Sequence, residues 1–115
     1  MTEKTYNGWT NYETWNVKLW MDNDEGSYNY WTEQAQEKYD EAEADGTFTR
    51  EEQATLDLSD ALKDYFEQEM AEIQATGMWV DLLGAALSEV NWHEIAEHMI
   101  EDVDKEEEAE VTEEE

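Results

Sequence analysis

Three features of this sequence predict an all-α fold: apolar residues recur at intervals of three and four over long stretches, the stretches open on Thr, Ser or Asn cap signals, and no long segment alternates with period two. A chain of 115 residues fits one small domain. Charged residues make up 34% of it, yet 6 Trp, 6 Tyr and 2 Phe supply more apolar surface than a disordered acidic polymer carries. The expectation is a compact bundle of about five helices over residues 6–104, with an N-terminal arm at 1–5 and a disordered acidic tail at 105–115.

The first helix is predicted to open at Thr10-Asn11-Tyr12-Glu13, which has the form of a capping box. Tyr12, Trp15, Leu19 and Trp20 recur at helical spacing down to Met21, and Asp22-Asn23-Asp24-Glu25-Gly26 ends the pattern. Ser27 restarts it, with Tyr28, Trp31, Ala35, Tyr39 and Ala42 as the apolar stripe and Asp45-Gly46 as the stop. Thr49-Arg50-Glu51-Glu52 is a second capping box, before Ala54, Leu58, Ala61, Leu62, Tyr65, Phe66, Met70 and Ile73 on one side. Met78 to Leu87 is apolar almost all round and reads as a short buried helix, in which Gly84 costs about 1 kcal/mol relative to Ala. Asn91-Trp92-His93-Glu94 caps the last helix, marked by Trp92, Ile95, Ala96, Met99, Ile100 and Val103. Residues 3–9 allow a short strand or an extended arm.

The balance of 33 acids against 6 bases gives a formal net charge of -27. The tail holds only part of it: residues 1–100 carry 23 acids and 5 bases, so the folded part is itself a polyanion. Such a surface is repelled by anionic lipid and by nucleic-acid phosphates, and no apolar run approaches the roughly 18 residues that span a bilayer, so direct nucleic-acid and membrane binding are not expected. With no Cys and no signal-peptide pattern before Trp9, the chain reads as cytoplasmic, without disulfides or Cys-ligated metal.

Sites for chemistry are poorly supported. His93 and His98 resemble the zinc-protease pair, but they are five apart, which puts the rings about 140° apart around a helix. A calcium loop starting at Asp22 needs glycine at its sixth position, where Ser27 stands. There is no cysteine nucleophile, phosphate loop or Gly-x-Ser-x-Gly elbow. No enzyme, cofactor or metal site is expected.

The acids themselves are patterned. Asp57, Asp60, Asp64 and Glu67 in the third helix, and Glu94, Glu97, Glu101 and Asp104 in the last, both step by three, four, three, which places each set on one helical face; Glu33, Glu37 and Asp40 or Glu41 add a further row. Steps of roughly 4.5 to 6 Å along a helix lie close to the phosphate spacing of about 6 to 7 Å on a DNA strand. An acidic row opposite an apolar seam is the ordinary solvated face of an amphipathic helix, but such faces usually mix signs, and like-charge crowding costs stability.

Tyr6 to Val17 concentrates aromatics and asparagines. The core is expected to absorb most of them, with Trp9 and Trp20 as the candidates for an exposed partner anchor. Gly8-Trp9-Thr10-Asn11-Tyr12-Glu13-Thr14-Trp15-Asn16-Val17, followed by Leu19-Trp20 and by Val90-Asn91-Trp92-His93-Glu94-Ile95-Ala96, resembles a family of small proteins carried by phages, plasmids and some bacterial and archaeal genomes, without an assigned activity. The resemblance implies a mobile-element origin and transfers no catalytic residues. In composition the chain also resembles the overcome-classical-restriction phage proteins, which are small, helical, acidic DNA mimics.

The functional expectation is therefore an acidic DNA mimic that occupies the nucleic-acid site of a host DNA-binding protein of restriction or CRISPR type. The contacts would be Asp57, Asp60, Asp64, Glu67, Glu94, Glu97, Glu101 and Asp104, with Glu33, Glu37 and Glu41 secondary. The rival is a non-enzymatic interaction module using a Trp9/Trp20 aromatic face, its acidity serving solubility or a salty cytosol. The sequence leaves a homodimer open.

Overall fold

The Asn7-Gly8 pair decides how the chain enters the domain. Both residues have positive φ, 50° and 89°, the backbone of a two-residue reverse turn that glycine tolerates without strain. The Tyr6 and Trp9 backbones close it by exchanging hydrogen bonds of 3.0 and 2.7 Å. The computed structural model describes residues 6–105, so the 1–5 arm and all of the predicted disordered tail beyond Lys105 lie outside the described residues.

Five helices follow, with no strand longer than the isolated Tyr6–Trp9 bridge among the described residues: α1 (Tyr12–Asn23), α2 (Glu25–Glu41), α3 (Arg50–Ile73), α4 (Met78–Ser88) and α5 (Trp92–Glu101). The expected all-α fold stands. Two of the three predicted caps are present as read: Thr49 and Glu52 form the reciprocal capping box of α3, and Asn91 accepts from the Glu94 amide at 3.0 Å. The first is shifted by one residue. Asn11, not Thr10, caps α1, accepting from the Thr14 amide at 2.9 Å, while the Thr10 amide donates to Glu94 Oε1 at 3.1 Å.

The predicted break at 22–26 shrinks to a single residue. Asp24 is extended (φ -99°, ψ 116°); its amide donates to the Trp20 carbonyl, closing α1, while its carboxylate accepts from the Ser27 amide at 2.8 Å, opening α2 two residues before the expected Ser27 start. This cap accounts for the acidic stretch that resembled a calcium loop.

Helix α3 is central, with α2 and α5 packed against it. Leu58, Leu62, Ile95 and Ile100 are fully buried between them, joined by Trp31, Ala35, Tyr39, Ala54 and Ala96. Three rings from three helices lie nearly parallel: Trp31 on Phe66 at 6.2 Å and Phe66 on Trp92 at 5.5 Å. Arg50 donates to the Tyr39 and Asp40 carbonyls and covers the Tyr39 ring at 4.2 Å, so the single arginine closes the C-terminus of α2. Beyond α5, Gln36 exchanges hydrogen bonds with the Asp104 backbone at 2.8 and 3.0 Å, and Lys105 pairs with Glu51 at 2.9 Å, so the folded region extends through the residue expected to begin the tail.

Three packing expectations are corrected. The inward side of α1 is Thr14, Val17 and Met21, whereas Tyr12, Leu19 and Trp20 are exposed and Trp15 is half-buried. The cause is the entry turn, which lays Tyr6 against Tyr12 and Trp15 at 5.2 Å each and so covers that side of α1 locally. Tyr28 is exposed and leaves the α2 stripe, which runs from Trp31 to Ala42. Finally, α4 is not a buried helix: none of its residues is buried, and Met78 and Trp79 remain 61% and 62% exposed. Helix α3 outruns its partners, leaving Ile73 exposed at its end, and α4 follows where no helix stands to cover its second apolar side.

Candidate interaction surface

The amphipathic phase of α3 fixes where its acids point. Ala54, Leu58 and Leu62 face the core, and at 100° per residue Asp57, Asp60, Asp64 and Glu67 cluster on the far side; all four are exposed. From first to last they are ten steps apart along an unbroken helix, about 15 Å. Asp57 accepts a 3.2 Å hydrogen bond from Gln53, and Lys63 stands one turn from both Asp60 and Glu67, lining a groove toward α4 together with Glu67. Of the other described bases, Lys18 pairs with Asp22, Arg50 caps α2, Lys38 is half-buried in the last turn of α2, and Lys105 pairs with Glu51. On α2, Glu33, Glu37 and Glu41 are likewise exposed, opposite Trp31, Ala35 and Tyr39.

The α5 series does not form one face. Glu94 is 3% exposed and faces inward, so it leaves the displayed set. Asp104 lies past the end of α5, beside Gln36 in the α1–α2 groove. Glu97 and Glu101 are exposed and together in a groove of about 520 Å³ between α3 and α5, where they meet Glu52, His93 and the Glu51–Lys105 ion pair. Sequence reasoning assigned Glu51 and Glu52 only to the cap; the available signal was that the first turn of α3 faces α5. Leu56 in the groove wall stands one turn from both Glu52 and Asp60, so the groove adjoins the α3 row along the same helix. Partial burial first, then Glu69, Tyr30, Asp24 and Glu72, push the phenol of the exposed Tyr65 above its ordinary pKa.

The buried polar residues belong to a different structure. Thr14 Oγ1 donates to Asn11 Oδ1 at 2.7 Å and accepts from the Asn91 amide at 2.8 Å; Asn11 Nδ2 donates to the Glu89 carbonyl at 2.7 Å; and Glu94 holds the Thr10 amide. These bonds join segments 77 to 84 residues apart in the chain, tying the α1 entrance to the α5 entrance. Both stretches of the motif quoted above meet in this network, whose geometry is that of a structural clasp. His98 lies against Trp9, ring centres 4.3 Å apart, while His93 lines the acidic groove, so the two histidines face different surroundings. Among the described residues no group of three or more His, Cys, Asp or Glu is placed to hold a metal ion, and no helix is long and apolar enough to cross a membrane.

The two tryptophans expected to share a face are separated. Trp9 is half-buried against His98 and the core, and Trp20, 66% exposed, stands near the other end of α1 beside Phe66.

Fold and surface define a small acidic five-helix protein with its negative charge arrayed on helices. Its sequence matches the family of unknown function DUF7249 over residues 2–114, and the chain belongs to that family. No curated protein and no solved structure matches it.

Proposed function

We propose that the protein is a DNA mimic that occupies the nucleic-acid site of a host DNA-binding protein of restriction or CRISPR type. The observation that carries this reading is the exposed row Asp57, Asp60, Asp64 and Glu67 on one side of α3, held by a capped and packed helix, with Lys63 at the edge of the row. Four carboxylates at 4.5 to 6 Å steps present Arg and Lys side chains with a spacing close to that of about 6 to 7 Å between successive phosphates. Glu97, Glu101 and Glu52 extend the negative surface around the groove, where Lys105 pairs with Glu51, and Glu33, Glu37 and Glu41 supply a secondary row. Glu94 has no part in it. The phage and plasmid resemblance of the sequence motif agrees with this role, since mobile elements meet such host defences.

The reading requires fast capture that weakens with salt. A pull-down from host lysate should retain a DNA-binding protein that competing duplex DNA releases. The triple variant Asp57→Lys, Asp60→Lys, Asp64→Lys should keep its helical circular dichroism and lose at least about tenfold in affinity at about 0.15 M salt. Undiminished capture by that variant would remove the α3 row from the account.

The 66% exposure of Trp20 favours one rival, an interaction module anchored on an aromatic side chain, with acidity serving solubility. Trp20→Ala separates the two: it abolishes capture under the rival reading and leaves it intact under mimicry.

A further inference from the structure

The segment that follows α5 folds back over the domain. The Asp102 and Val103 amides donate to the Met99 and Ile100 carbonyls at 3.1 and 3.3 Å, closing the helix. Gln36 then holds Asp104 by both backbone groups, accepting from its amide at 2.8 Å and donating to its carbonyl at 3.0 Å, and Lys105 fastens the next position to α3 through Glu51 at 2.9 Å. Residues 102–105 are thereby laid as a strap along the groove between α1 and α2, and a cavity of about 260 Å³ lies between the strap and the two helices.

Two chemistries line this cavity. Its floor is apolar: Met21, Trp31 and Ala35 belong to the buried core, and Met99 and Val103 pack against it. Methionine adapts its shape to what it touches, and two of the chain's five line the cavity with the Trp31 indole. The rim is charged. Lys18 donates to both carboxylate oxygens of Asp22, at 2.9 and 2.7 Å, so its ammonium is already engaged by its own helix. Asp102 and Asp104 add two further carboxylates, so the described rim sets three negative groups against one positive.

We propose that the cavity is a binding site for a small molecule that joins a compact apolar body to a protonated amine. On the scale where about 150 Å³ holds a benzene ring, it takes roughly ten non-hydrogen atoms. An apolar floor with a few polar groups converging at the mouth is the usual build of a small-molecule site: the floor takes the body and the mouth fixes its orientation. The carboxylate excess at the mouth selects a cation, and the net charge of -27 repels an anion before it arrives. Because Gln36 and Glu51 hold the strap from within the chain, the outer wall is in place before binding and the ligand has little left to order. The site shares no residue with the α3 row, so its failure would leave mimicry untouched.

The test is a titration of the full chain, isotopically labelled at its methionine methyl groups, with phenethylamine, phenethyl alcohol and hydrocinnamate, which give one apolar body a positive, a neutral and a negative end. At about 50 mM salt the amine should shift the Met21 and Met99 methyl resonances with a Kd below about 1 mM. Met70, in the groove between α3 and α4, and Met78, exposed at the start of α4, should stay in place. The alcohol should move the same two methyls with at least about threefold weaker affinity, the difference narrowing at about 0.5 M salt, and the anion should move neither. Asp22→Asn combined with Asp102→Asn, both at exposed positions, leaves one charge of each sign at the rim and should bring the amine down to the alcohol's affinity without changing the alcohol's own. Equal shifts at all the methionines would mean that the amine only condenses on a polyanion, and would overturn the proposal. So would an alcohol or anion that binds as tightly as the amine, an amine preference that survives the double substitution, or unmoved Met21 and Met99 methyls up to about 5 mM amine.

Discussion

Thr14 shows how one hydroxyl can hold two distant segments together. It is fully buried, and its oxygen serves the Asn11 side chain and the Asn91 amide together. Thr14→Val keeps the shape of the side chain but leaves the Asn91 amide without its acceptor. The expected loss is about 1–3 kcal/mol in a denaturant titration, with Thr14→Ser recovering most of it. Equal stability of the valine variant would mean that water replaces the hydroxyl. At Asp45 a single carboxylate acts through charge instead: the amides of Phe48 and Thr47, at 2.8 and 2.7 Å, hold its pKa below the ordinary value. A depressed carboxylate contributes stability above its unfolded pKa and loses it as pH falls through the folded one. Asp45→Asn should therefore lower stability at neutral pH and change little once the pH has fallen below the folded pKa, which flattens the acid limb of the stability curve. Neither residue was assigned its partners from sequence. A cap lies within four residues and leaves a local pattern, which is how Thr49 and Asn91 were legible; Asp45, whose partners are as near, was read only as a stop before Gly46, whereas the Thr14–Asn91 and Thr10–Glu94 bonds close across most of the chain.

At the scale of a helix, legibility follows how completely each element is enclosed. Helices α2, α3 and α5 have partners along their apolar faces, and the stripes read for them agree with the core apart from Tyr28 and Ile73 at their ends and Tyr65, which is exposed, within α3. Helix α1 was misphased because two apolar sides competed, and the Tyr6–Trp9 turn covers the one with the larger rings. Helix α4 was legible as a helix, but its burial was not, since periodicity records how apolar a face is and not whether anything lies upon it. Gly84 lies on the half-covered side of α4, and a Cβ built there meets nothing within 4 Å. Gly84→Ala should therefore stabilise α4 by about 1 kcal/mol through helix propensity alone, seen as slower amide exchange across Met78–Ser88. Faster exchange would place an unrecognised close contact at that groove. The acidic rows divide along the same line. The α3 row keeps its spacing because α3 is long and straight enough to carry all four residues, while α5 ends at Glu101, before Asp104, and turns Glu94 inward to hold the α1 entrance.

For the molecule as a whole, the question is whether its charge stabilises the fold or opposes it. Like charges on one helix face repel, and a formal net charge of -27 on 115 residues adds a repulsion that every part of the fold shares. The core of α2, α3 and α5, its stacked Trp31, Phe66 and Trp92 rings and the clasp at the two helix entrances hold against it. If the α3 row is kept for a partner, removing it should relieve the fold. Each reversal changes the net charge by two, so Asp57→Lys, Asp60→Lys, Asp64→Lys takes -27 to -21 without touching a buried residue. This variant should melt at a higher temperature than the parent at about 10 mM salt, and the gap should close toward about 1 M, where the screening length falls to about 3 Å. Gained stability together with lost capture is the trade-off of a surface retained for binding. A lower melting temperature at every salt concentration would instead make the row a contributor to the fold, through bonds such as Gln53 to Asp57, and the acidity would then need no partner to explain it.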